Sequence, residues 1–169
     1  MKPNRPAFID SPSNILSNLN LLISKRLREG DFITAVIAFL ESGDKSITIA
    51  RAGHNWPLYY DSDFKIIQPL KTRGVCLGLD KDMGISLSPE EKKLSDKSGD
   101  VELLYSDGIT EAMNERQHLF EQSRLESALM ESAHLPADQI VDQIIARLDD
   151  FVQSEEPHDD VTPVAIKVK

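Results

Sequence analysis

The apolar residues of this sequence change period at Gly30, and that change sets the fold class. Before it, Ile15, Leu16, Leu19, Leu22, Ile23 and Leu27 recur at helical spacing. They follow Ser11-Pro12, an N-cap with proline at the first helical position. The pattern predicts an amphipathic helix over 12–29, stopped by Gly30. After it, 32–41 is rich in β-branched and aromatic residues, Ser42-Gly43-Asp44 punctuates, and 45–51 alternates. That spacing predicts a hairpin whose two strands are both well buried on at least one face.

Two short strands follow within 57–69, around Asp61-Ser62-Asp63. Residues 71–99 read as loop, with Gly74, Gly78, Gly84, Pro89 and Gly99. A strand at 101–106 is cut by Asp107-Gly108. Helices are expected near 120–132 and 136–152; Ile140, Val141, Ile144, Ile145 and Leu148 form the apolar stripe of the second. A last strand spans about 161–168, and Pro163 places it at an edge or a bulge. The order α, several β, two α, β predicts an α+β fold on antiparallel sheet.

Composition narrows the function. A chain of 169 residues matches the ~100–200 residues of one domain. Lys and Arg number 19 against 28 Asp and Glu, a formal charge of −9, with no basic block. Phosphate neutralisation needs clustered cations, so nucleic acid is not an expected partner. Cys76 is the single cysteine, which excludes an internal disulfide and a cysteine-rich zinc site; it reads as a small buried hydrophobe. No apolar run reaches the ~18 residues of a membrane span, and the start lacks the apolar core of a signal peptide. A soluble, cytoplasmic domain is expected.

Three polar clusters fall at expected strand ends: Ala52-Gly53-His54-Asn55, Ser106-Asp107-Gly108 and His158-Asp159-Asp160. Each has an ordinary reading. Asp-Gly is a common turn pair, consecutive aspartates are often solvated loop charge, and His54 reads as a histidine hydrogen-bonded in a turn. Taken together, Asp107 and Asp159 suit hard cations with oxygen ligands, such as Mg²⁺ and Mn²⁺. If both lie at one end of a sheet they can share such ions, and a two-ion site activates water and clamps a phosphoryl group. Two ions ordinarily take further bridging carboxylates, which spacing alone does not nominate.

Five motifs in register resemble one family. They are Phe32-Ile33-Thr34-Ala35; Ala52-Gly53-His54-Asn55-Trp56-Pro57; Gly74-Val75-Cys76-Leu77-Gly78; Gly99-Asp100 leading into Leu104-Tyr105-Ser106-Asp107-Gly108-Ile109-Thr110-Glu111-Ala112; and Asp159-Asp160-Val161-Thr162. Together they resemble the stage II sporulation protein E and RsbU type of protein phosphatase. That type is a bacterial branch of the metal-dependent, protein phosphatase 2C-like (PPM) serine/threonine phosphatases. The resemblance implies an α-β-β-α sandwich of two antiparallel sheets flanked by helices. It implies two Mn²⁺ or Mg²⁺ ions and hydrolysis of phosphoserine or phosphothreonine by a metal-activated water. Asp107 and Asp159 are then the catalytic metal ligands, and Asp160 an outer or additional ligand. Gly108 joins this metal set and lets the backbone pass close to the site. Gly53, His54 and Asn55 form a structural turn near it. The implied partner is a phosphorylated regulatory protein, similar to an anti-anti-sigma factor in a partner-switching pathway.

Two departures accompany the resemblance. In the family the first helix follows a Gly-Asp-x-x-Gly-x-Gly motif whose aspartate bridges both ions; Met1–Asp10 holds Asp10 and no glycine. Residues 1–10 therefore read as a tail, and 11–169 as the C-terminal two-thirds of a phosphatase domain. Glu121 also stands after Phe120 where the family often has glycine. The first departure keeps a second function open: an inactive or incomplete phosphatase-like domain serving as a protein-interaction module. Uncovered sheet edges would also favour a homodimer, which a monomeric mass in sedimentation at high concentration would exclude.

Overall fold

The computed structural model describes residues 10–79, 88–95, 97–153 and 159–169. The expected tail apart from Asp10, Gly84 of the expected loop, and His158 lie outside them. The chain divides into two compact units: Met1–His54 with Lys71–Asp96, and Asn55–Leu70 with Lys97–Lys169.

The first unit opens with helix α1, Pro12–Ile23. Ser11 caps it, its side chain accepting a hydrogen bond from the Asn14 N–H at 3.3 Å. The helix ends six residues short of the expected boundary. The Arg26 and Leu27 N–H groups both turn back to the Ile23 carbonyl, at 2.8 and 3.0 Å. Leu27 is thereby drawn against Gly78, where an added Cβ would come within 2.5 Å of its Cδ1. A tertiary contact thus overrides helical periodicity.

Strands β1 (Ala35–Glu41) and β2 (Ser46–Ala52) form the expected hairpin, with Glu41 paired to Ser46. The expectation of two well-buried strands holds for β2 alone. No residue of β1 is fully buried, because β1 has β2 on one side and forms the sheet edge. On the far side of β2 lies β5, Glu91–Ser95. Its sequence, Glu-Lys-Lys-Leu-Ser, carries no apolar alternation, which is why the 71–99 region reads as loop. Leu16, Ala50, Ala52 and Leu77 make the buried core of this unit under α1.

The second unit holds a four-stranded antiparallel sheet in the order β4-β3-β6-β7. Its strands are β3 (Leu58–Asp61), β4 (Ile66–Pro69), β6 (Val101–Tyr105) and β7 (Pro163–Lys167). Pro163 pairs with Tyr105 on the edge strand, where a missing donor costs no ladder bond. A one-turn helix, α2 (Asp107–Thr110), follows β6 directly. Helices α3 (Glu121–Ser132) and α4 (Ala137–Val152) match their expected spans. The buried stripe of α4 is Ile140, Ile144, Leu148 and Val152, and it joins Leu125, Leu129, Leu103 and Leu58 in one core. Phe120 meets Phe151 edge-on with ring centroids 5.4 Å apart.

Asp100, fully buried at the entry to β6, fixes the start of that strand. Its carboxylate accepts from the Tyr59 hydroxyl (2.7 Å), the Ser62 N–H (2.9 Å), the Ser62 hydroxyl (2.8 Å) and the Lys97 N–H (2.9 Å). Gly99, at φ +96°, supplies the turn before it. Burial pushes the Asp100 carboxyl up, but these donors outweigh it and the net shift is downward. The Tyr59 phenol moves up, through burial and through its bond to Asp100. A folded value below the ~3.9 of an unfolded aspartate means the stabilisation is whole above about pH 4. It is lost as pH falls through the lower folded value. We expect Asp100→Ala to cost on the order of 3 kcal/mol, as for a broken buried network. Urea denaturation across pH 2.5–7 checks both points, since the variant should lack the wild type's acid-side loss.

Candidate metal and phosphoryl site

The candidate aspartates meet where β6 ends and β7 begins. Antiparallel pairing of these strands puts the exit of one beside the entry of the other. Ser106 locks the junction. Its N–H donates to the Thr162 carbonyl at 3.1 Å. Its hydroxyl donates to the Asp160 carbonyl at 2.7 Å and accepts from the Thr162 N–H at 2.9 Å. Two residues later the backbones almost touch, for a Cβ added at Gly108 would stand 2.4 Å from the Asp160 carbonyl oxygen. Only glycine allows that approach.

Asp107, Gly108, Asp159 and Asp160 are therefore neighbours in one unit. Asp107 is exposed at the first residue of α2, and Asp159 and Asp160 are exposed in the segment entering β7. The Asp159 carboxylate accepts from the Asp160 N–H at 2.7 Å. Asp107 is thus part of a helical turn rather than a bare Asp-Gly turn, and the consecutive aspartates sit in a hydrogen-bonded segment.

Gly53 and His54 belong to the first unit. Gly53, at φ +67°, donates its N–H to the Gly74 carbonyl at 3.1 Å. An added Cβ there would meet the Cys76 sulfur at 2.1 Å. Cys76 is half-buried over this glycine rather than sunk in a core. His54 Nδ1 and the Thr34 hydroxyl lie 3.1 Å apart, and Arg51 donates to the His54 carbonyl at 2.9 Å. These are bonds that hold a turn. Asn55, half-buried, begins the second unit.

A cavity of about 370 Å³ opens beside the aspartates, lined by Gly108, Asp159, Glu111, Ala112, Met113 and Leu119. The last four were not nominated by the sequence. Nor was the role of Ser106, since a serine before Asp-Gly carries no signal of a partner 54 positions away. The donors fit a hard divalent cation in kind, being carboxylate oxygens accessible to solvent. In number they are two from the motif positions, with Asp160 alongside. Among the described residues no group of three or more His, Cys, Asp or Glu side chains is placed to hold a metal ion.

Comparison with known proteins gives this geometry a family. The model for stage II sporulation protein E (SpoIIE) matches residues 5–169. The chain belongs to the SpoIIE family. It is 29% identical over 161 residues to phosphoserine phosphatase RsbU of Bacillus subtilis (strain 168). That match covers 94% of this chain and 45% of the relative, so the chain spans under half of RsbU. The fold is similar to the SiaA-PP2C domain of Pseudomonas aeruginosa, with a TM-score of 0.80 at 17% identity, over 94% of this chain and 61% of that one. It also resembles the PP2C phosphatase domain of SpoIIE from Bacillus subtilis, solved with a fragment of its regulatory domain. There the TM-score is 0.73 at 15% identity, over 92% of this chain and 44% of that one. SpoIIE-family membership and these neighbours agree with the expected α+β architecture of two antiparallel sheets with helices.

The close approach at Gly108 is testable. Gly108→Ala should destabilise the chain by about 1–3 kcal/mol, the cost of overpacking against backbone that cannot yield. Ser106→Ala should cost about 1 kcal/mol for its hydroxyl bonds. Urea denaturation midpoints of the two variants give both values.

Proposed function

We propose that residues 11–169 form part of a metal-dependent phosphatase domain that hydrolyses phosphoserine or phosphothreonine on a regulatory protein. The observation that carries this reading is the Ser106 clamp, which sets Asp107 and Asp159 on adjoining backbone segments of a SpoIIE-family chain. In this reading Asp107 and Asp159 hold Mn²⁺ or Mg²⁺, with Asp160 as an outer ligand. Gly108 lets the Asp160 carbonyl close on the turn. Such an ion, when bound, polarises a phosphoryl oxygen and makes water nucleophilic near neutral pH. The chain's own part is to fix two carboxylates on rigid strand ends, so that little reorganisation is left for the reaction. The name of the RsbU relative supports a phosphoserine substrate. A phosphorylated partner similar to an anti-anti-sigma factor is the proposed substrate class.

A second reading has its own observation. Among the described residues no three His, Cys, Asp or Glu side chains are grouped to hold a metal ion, which favours a phosphatase-like domain that binds partners without turnover. Calorimetric titration with Mn²⁺ separates the two. Binding by the wild-type chain should weaken by at least roughly tenfold in Asp107→Asn, since even supporting residues of metal sites are worth 10–100-fold. Circular dichroism should show the fold unchanged. Equal affinity in the variant would remove Asp107 from the site, and no binding by the wild type would leave the interaction module as the function.

A further inference from the structure

The residues lining the cavity beside Asp159 are of two kinds: Gly108 with the acidic Asp159 and Glu111, and an apolar wall of Ala112, Met113 and Leu119. The apolar wall is built rather than incidental. Met113 and Leu119 face each other as an antiparallel bridge, and the Phe120 N–H donates to the Ala112 carbonyl at 2.8 Å. Asn114 ties the tip: its side-chain oxygen accepts from the Arg116 and His118 N–H groups, each at 3.0 Å. Its own N–H donates to the His118 carbonyl at 3.1 Å. Arg124 fastens the other end, donating to the Phe120 carbonyl at 2.9 Å while its guanidinium lies 4.8 Å from the centre of the Phe151 ring. A small hairpin anchored at both ends thus holds Leu119, 37% exposed, toward solvent.

We propose that this wall is a specificity subsite of the phosphatase, taking an apolar side chain next to the phosphorylated residue of the substrate protein. The inference rests on the phosphatase reading above and adds what the substrate must carry. The lining picks the occupant. With Asp159 taken up by the ion in this reading, Glu111 is the remaining charged group among the lining residues, and an acidic neighbour of the phosphoserine is repelled by it. Glu111 is exposed, so a cationic neighbour would gain at most about fivefold in affinity from a surface ion pair, less than the roughly tenfold or more from burying an apolar side chain on Met113 and Leu119. The subsite adjoins the candidate ligands directly, since Asp159 and Gly108 line the same cavity. A residue flanking the phosphoserine reaches the wall without any further docking surface.

Fluorescence anisotropy on the full chain, with Mn²⁺ present, tests this with three labelled nine-residue peptides. One has a central phosphoserine flanked on both sides by leucine, one the same phosphoserine flanked by serine, and one is the leucine peptide unphosphorylated. The leucine-flanked phosphopeptide should bind about tenfold tighter than the serine-flanked one, the order expected from burying one leucine side chain. Leu119→Ser and Met113→Ser should each shrink that ratio toward one. Equal affinity of the two phosphopeptides for the wild type overturns the subsite and leaves the phosphatase reading standing. A preference that survives both substitutions overturns its placement on this wall. If phosphorylation adds nothing to binding, the phosphatase reading falls, and the subsite with it.

Discussion

The approach of the Asp160 carbonyl to Gly108 is the constraint on which the second unit depends. Two strand ends meet there with no side chain between them, and Ser106 supplies the bonds that hold them. Shifting that junction by one residue would turn the side chains of β7 to the opposite face. Ala165 would then leave the helical core that it joins. Asp107 and Asp159 would also part, since each is placed only by its distance along the chain from the same clamp. Packing and chemistry therefore share one fixed point. This is economical in a chain whose candidate ligands lie 52 positions apart in sequence.

The Asp100 network does for the beginning of β6 what Ser106 does for its end. A buried carboxylate with four donors is expensive to place and costly to disturb. Its partners come from β3, from the β3–β4 turn and from the segment before β6. With both ends of β6 fixed by polar bonds, the strand between them can be almost wholly buried. It presents its C-terminal end at a defined height, and a rigid strand end is what a pair of metal-binding carboxylates requires.

How much of this was legible in the sequence follows from the range of the forces involved. The start of α1, the α3 and α4 spans, the β1–β2 hairpin and the edge position of β7 rest on periodicity, turns and one proline, all of which are local. The early end of α1 and the charged strand β5 are decided by contacts with Gly78 and β2, and no local pattern encodes them. The motif resemblance led to Asp107, Gly108, Asp159 and Asp160, whereas spacing alone had offered half a site. It also marked Glu121 as standing where the family often has glycine. Glu121 adopts φ +66°, a left-handed conformation that costs a side-chain-bearing residue about 1–2 kcal/mol. The departure from glycine is thus a departure in backbone strain at the first residue of α3. The hairpin carrying Met113 and Leu119 had no such signal, because the five residues between them, Asn114-Glu115-Arg116-Gln117-His118, are all polar and show no apolar alternation.

Electrostatics ties the site to the rest of the chain. The net charge is −9, and the exposed candidate ligands are themselves acidic. A phosphorylated protein approaching this surface meets like charge, whose cost rises as water is excluded. In the proposed function, phosphoryl recognition on such a surface runs through a cation, which reverses the sign of the field where the phosphate sits. A cation rewards every phosphate alike and so discriminates poorly between phosphoproteins. Discrimination has to come from groups that ignore the phosphate, and at this cavity those groups are apolar. In the proposed reading, the same acidic balance that argues against nucleic acid therefore assigns affinity to the metal ion and selectivity to the anchored wall beside it.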